Sequence, residues 1–132
     1  MERGFYVWLL RNQDYTVLVD CGFDPENTEY QQKPGYVPIR EMLERMDVVA
    51  EEIEHVVLTH LHYDHAGGTD LFPNAQFYVQ ESEYRFWTED PVVKRAVFQQ
   101  VSDHVALDRV KALRKEGRVT LVRGDREVLP GI

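Results

Sequence analysis

The chain of 132 residues contains a single cysteine, Cys21. One cysteine excludes an internal disulfide framework and fits a reducing compartment, so the expected location is cytoplasmic. Long apolar runs are missing as well. The N-terminal stretch is interrupted by Arg11, Asn12 and Gln13 and reads neither as a signal peptide nor as a membrane span. Basic runs are absent, and 23 acidic against 15 basic side chains give a formal net charge of −8. That balance argues against a nucleic-acid partner held by electrostatics and leaves a small-molecule substrate as the expected partner. Neither repeats nor low-complexity tracts occur, and a hydrophobic fraction of 43% suffices for one core. Residues 1–132 therefore read as one domain or part of one.

What the chain does have is concentrated between Thr59 and Gly68. Three of its five histidines, His60, His62 and His65, stand there with Asp64 among them. Imidazole nitrogen and carboxylate oxygen are the donors that Zn²⁺ and similar cations accept. The preceding His55-Val56-Val57-Leu58-Thr59 is a short β-branched apolar run, expected as a buried strand. His60 and His62 are two residues apart, so in extended chain both rings leave on one side. Asp64 is placed to cap a short helix whose first turn returns Asp64 and His65 to that side. The donors divide into His60/His62 and Asp64/His65, enough to begin two adjacent metal sites. Gly67 and Gly68 let neighbouring backbone come close.

Around that stretch, Phe5 to Leu10 and Thr16 to Val19 read as a hairpin turning at Asn12-Gln13-Asp14. Cys21 reads as a small buried packer, since no base is paired with it. Phe23 to Pro38 reads as a long loop whose Phe23, Tyr30 and Tyr36 either line an entrance or staple the loop down. Pro38 suits a helix start, and Ile39, Met42, Leu43 and Met46 form an apolar stripe. Strand, helix, strand then implies a βαβ crossover with a parallel pair. Gln76 to Gln80 is expected as a strand and Glu81 to Trp87 as a helix. A helical rhythm follows from Asp90-Pro91 to about Lys115, broken near Ser102-Asp103 and stopped by Gly117. Arg118 to Val122 and Glu127 to Leu129 read as a second hairpin. His104 reads as an ordinary helix residue.

His60-x-His62-x-Asp64-His65 after an apolar strand resembles the signature of the metallo-β-lactamase superfamily of metal-dependent hydrolases. The resemblance implies an α/β fold, the αββα sandwich of that superfamily, with this chain forming approximately its N-terminal half. It also implies two divalent metal ions, most simply Zn²⁺, held by His60, His62, Asp64 and His65. The Asp matching Asp20 orients the ligand loop in such proteins, so Asp20 and Thr59 are expected behind the ligands rather than among them. A metal-bound hydroxide is then expected to attack an ester carbonyl, with Asp64 handling its proton. The helical segment after the next strand is expected to roof the site.

Finer phrases resemble the branch that holds the quorum-quenching N-acyl homoserine lactonases. They are Tyr63 inside the motif, Phe72-Pro73-Asn74-Ala75, Phe77-Tyr78-Val79-Gln80, Phe86-Trp87-Thr88 and Gly124 to Gly131. Lactone opening is the expected reaction. Thioester or phosphodiester hydrolysis, and a non-catalytic metal-binding half-domain that pairs with a partner or its own copy, are the alternatives. The family draws two more histidines and a bridging aspartate from a second half, so the chain is expected to be an N-terminal portion lacking those ligands.

Overall fold

The computed structural model describes residues 4–132. Five strands form one sheet in the order β1 to β5: Trp8–Arg11, Thr16–Val19, His55–Leu58, Gln76–Gln80 and Val119–Val122. β1 and β2 are the expected antiparallel hairpin, pairing Leu9 with Leu18. Asn12 makes the turn, its Oδ1 accepting from the N–H groups of Asp14 and Tyr15. β2, β3, β4 and β5 run parallel, so the sheet is mixed and β3 lies at its centre.

The parallel register sets Leu18, Val56, Phe77 and Val119 side by side in one row. All four are almost fully buried. Helices α2 (Ile39–Glu44), α3 (Glu81–Glu89) and α5 (His104–Lys115) supply the rest of this core through Leu43, Tyr84, Trp87, Leu107, Val110 and Leu113. Burial of each large apolar side chain contributes about 1.5–3 kcal/mol before the entropy of ordering it. The opposite face carries Trp8, Leu10, Val57 and Tyr78, and Trp8 is 55% exposed. One sheet and one helical layer account for half of the four layers expected.

Several expectations change. The helix after Pro38 ends at Glu44, before Met46 can join the stripe, and Met46 is exposed. Asp47 adopts a left-handed φ of 54°, and Val48 turns back into the core with its N–H on the Leu43 carbonyl at 3.0 Å. The 23–38 loop contains one helical turn, α1 (Thr28–Gln31), capped by Asn27. No α-helix follows Asp64. A tight turn over Tyr63 to His65 and a 3₁₀ turn at Thr69–Leu71 replace it. The cause is competition, since Cys21 N–H takes the His65 carbonyl and Gly67 N–H donates to the Gly22 carbonyl. The helical rhythm from Asp90 resolves into a 3₁₀ turn at Pro91–Lys94, α4 (Ala96–Gln99) and α5, with Asp103 capping α5 next to the expected break. Glu127 to Leu129 is not a strand. Pro130-Gly131 closes a turn that satisfies its own backbone, with Ile132 N–H on the Leu129 carbonyl at 2.8 Å.

Candidate metal centre

Every chemistry-bearing segment leaves the same edge of the sheet, where the parallel strands end. Asp20 follows β2, Thr59 to His65 follow β3, and α3 follows β4. Asp20 is completely buried, and its backbone takes a left-handed φ of 61° that few residues other than Gly, Asn and Asp adopt. Its carboxylate accepts the Thr59 N–H at 2.8 Å, the Thr59 hydroxyl at 2.8 Å and His65 Nδ1–H at 2.7 Å. Because the Thr59 hydroxyl donates to Asp20, its oxygen is left to accept from His60 Nδ1, 3.0 Å away. Both rings are thereby held at Nδ1, leaving Nε2 as the outward nitrogen.

The rings gather closely. The His60 centroid lies 4.4 Å from that of His62 and 3.9 Å from that of His65. Asp64 Oδ2 stands 3.4 Å from His65 Nε2. Burial lowers the His60 pKa, and the neighbouring His65 and His62 lower it further. Burial works the same way on His65, but its hydrogen bonds to Asp20 and Asp64 outweigh it and hold the ring at about 9. Burial would raise Asp64, yet its hydrogen bond to His65 brings it below the usual carboxylate range. The positive charge of the cluster therefore sits on His65 between two carboxylates.

Three imidazoles and a carboxylate fit a borderline divalent cation in kind. Among the described residues no three His, Cys, Asp or Glu side chains close on a single ion. His60 lies nearer to the His65 ring than to the His62 ring, and Asp64 stands beside His65. His55 is at the far end of β3 beside Tyr78 and Tyr15, and His104 is exposed next to Gln99.

Glycine is essential to the packing beneath. A Cβ on Gly67 would lie 2.2 Å from the Asp24 backbone nitrogen, and one on Gly68 would lie 2.2 Å from the Cys21 carbonyl oxygen. The close approach here is by the 21–24 loop. Cys21 is buried with its thiol donating to the His65 carbonyl, and burial pushes its pKa up, so it is no nucleophile.

The aromatic residues of the 23–38 loop staple it to the histidine segment, and two of them also line a pocket. Phe23 and Tyr30 pack on Tyr63, with Tyr30 stacked at 5.2 Å between centroids. Phe23 and Tyr36 also line a pocket of about 270 Å³ with Phe5, Tyr6, Met42 and Asp64. Trp87 of α3 meets the His62 ring at 5.3 Å between centroids, and the Val101 carbonyl accepts the Tyr63 N–H.

Residues 4–131 match the metallo-beta-lactamase superfamily. The chain belongs to that superfamily. An N-acyl homoserine lactonase of Bacillus sp is 25% identical, aligned with 100% of this chain and 52% of its own length. A probable metallo-hydrolase of Mycobacterium tuberculosis is 30% identical over 92 residues, 61% of this chain and 30% of its own. Among solved structures, a quorum-quenching N-acyl homoserine lactone lactonase superposes with a TM-score of 0.66 at 22% identity, covering 96% of this chain and 48% of that one. AidC, a dizinc quorum-quenching lactonase, gives a TM-score of 0.69 at 17% identity over 92% and 44% of the two chains. The superfamily fold is thus established, and the chain spans about half the length of the curated lactonases it matches.

Two contributors to this metallo-beta-lactamase edge escaped the motif. Glu83, in the first turn of α3, accepts the Leu61 N–H at 2.9 Å. Arg109 of α5 joins Asp24 at 3.0 Å to Asp70 at 2.6 Å, tying the loop after β2 to the one after β3. An acid just past the end of the neighbouring parallel strand was the available signal for Glu83. Arg109 had none, being one of several charges on an amphipathic helix. No helix among the described residues is long and apolar enough to cross a membrane.

Proposed function

We propose that the protein to which this chain belongs is a metal-dependent hydrolase that opens the ester ring of a lactone, with N-acyl homoserine lactones as the substrate class. The observation that carries this reading is the gathering of His60, His62, His65 and Asp64, with Asp64 also lining an aromatic pocket. The similarity to lactonases over nearly the whole chain supports the substrate class.

His60 and His62 would hold one divalent ion and Asp64 and His65 a second, most simply zinc in both places. Bound there, the ions would supply Lewis acidity toward the ester carbonyl and toward water. The chain's own residues do the rest. Asp20 and Thr59 keep Nδ1 of His65 and of His60 engaged, so that Nε2 of each faces outward. Water adds to the carbonyl carbon, Asp64 takes the proton it loses, and the ring C–O bond breaks. The proton passes to the released oxygen, and the product is a hydroxy acid. Phe5, Tyr6, Phe23 and Tyr36 offer an apolar wall to an acyl chain.

A catalytic zinc takes three protein ligands as a rule, and this chain offers two per ion. Calorimetric titration of the 132-residue chain is therefore expected to show weak, substoichiometric zinc and no opening of N-hexanoyl homoserine lactone in a pH-stat assay. A longer product of the same reading frame should bind two zinc ions and turn over. Failure of that longer protein to open the lactone at full zinc occupancy would overturn the reading. Two tightly held zinc ions with turnover in the short chain would show its ligand set to be complete.

A further inference from the structure

We infer that Glu83 is a positioning residue for the histidine cluster, its carboxylate gripping the Leu61 peptide so that His60 and His62 project together. The geometry stands on its own, whereas the purpose assigned to it rests on the metal-dependent reading above.

His60 and His62 flank Leu61, so the direction of both rings follows from how that one residue is held. Leu61 is anchored twice. Its side chain is 1% exposed, inserted into the core, and its N–H donates to Glu83 Oε1 at 2.9 Å. A carboxylate acceptor makes the second anchor a charge-assisted bond, stronger than an ordinary backbone pairing. The acid reaches this peptide because β3 and β4 are parallel and in register. Leu58 pairs with Val79, and Leu61 and Glu83 stand three and four residues beyond those partners.

A second observation makes the contact more than a capping accident. Trp87 lies one turn after Glu83 on the same face of α3 and sets its ring against His62 at 5.3 Å. One face of one helix therefore holds the backbone between the two histidines and buttresses the ring of the second. Trp87 is itself buried against Phe86 and Phe98, which fixes the buttress.

The test compares Glu83→Ala with Glu83→Gln in the 132-residue chain, whose amide oxygen can accept the same bond without the charge. Hydrogen exchange is read at the Leu61 amide of metal-free protein, with Val56 and Phe77 as core controls. Zinc affinity is read separately by chelator competition. Glu83→Ala is expected to speed Leu61 exchange and weaken zinc by about tenfold or more, roughly the worth of one charge-assisted bond, with the controls unchanged. Glu83→Gln is expected to keep both within about threefold of the parent. Unchanged Leu61 exchange in Glu83→Ala, or equal damage from both substitutions, would overturn the proposal. If Glu83→Ala loses the Val56 and Phe77 controls too, Glu83→Gln decides alone: retained Leu61 protection supports the role and lost protection refutes it. If the parent chain takes up no zinc, Leu61 exchange alone decides whether Glu83 holds the peptide.

Discussion

Asp20 Oδ2 lies 2.7 Å from His65 Nδ1, although the two residues are 45 positions apart and belong to loops after different strands. The contact couples the end of β2 to the end of the histidine segment. Since Asp20 also takes the Thr59 N–H and hydroxyl, it fixes both ends of that segment at once.

Asp20→Asn should therefore be a stability mutation before it is anything else. The amide keeps the shape but cannot accept from Thr59 and His65 together, leaving a buried donor short of a partner. A loss of about 2–3 kcal/mol is expected, the range for a buried hydrogen bond to a charged group. Urea unfolding of the metal-free chain measures it, and a loss below about 0.5 kcal/mol would mean that the contact contributes nothing net.

Asp64→Asn should do the reverse. Asp64 is only half-buried, so folding should change little. In a longer, zinc-loaded protein the loss of its proton-accepting carboxylate should lower kcat by about a hundredfold or more. Turnover within a few-fold of the parent at equal zinc content would remove the role given to this residue.

Gly68→Ala tests the packing beneath the motif. The added Cβ would stand 2.2 Å from the Cys21 carbonyl oxygen, a backbone atom that cannot swing away. A cost of about 1–3 kcal/mol is expected, as for other over-packed sites. Thermal melts of the substituted and parent chains are the measurement, and equal Tm values would show that the 21–24 loop can yield.

A pH series isolates His65 in metal-free protein. Its pKa is raised from 6.5 to about 9, because the hydrogen bonds to Asp20 and Asp64 outweigh burial. A folded pKa above the unfolded one gives stability that is whole below 6.5 and fades as the pH climbs through about 9. Urea midpoints in the presence of a chelator should fall across that window, and His65→Gln should flatten the fall. A midpoint that rises with pH over the same range would contradict the assignment.

Much of this was legible in the chain itself. The β3 run, the two-residue step from His60 to His62, and the crossover through the Ile39 helix are local patterns, and local patterns decide those elements. Asp64 misled as a helix cap, because the backbone groups a helix would have used are taken by Cys21 and Gly22, some forty residues earlier. Met46 fitted an apolar stripe that a left-handed Asp47 cuts short. Glu127 to Leu129 read as the second strand of a hairpin but gave its backbone bonds to the Pro130-Gly131 turn. Glu83 became visible only once β4 was laid beside β3. Pairing between distant segments is what a single chain states least directly.

Three consecutive parallel strands each send one acid to the same edge, Asp20 after β2, Asp64 after β3 and Glu83 after β4. None of these acids shares a loop with another, so their mutual spacing is set by strand register together with the Asp20–His65 and Cys21–His65 contacts between the loops. One residue of slip moves a strand by about 3.3 Å, more than the 2.8 Å between Asp20 and the Thr59 N–H or the 2.9 Å between Glu83 and the Leu61 N–H. The site is therefore an all-or-nothing reading of the sheet's alignment. A chain misregistered by a single step would turn the slipped strand's core side chains to the other face, and it would separate Asp20 from Thr59 or Glu83 from Leu61.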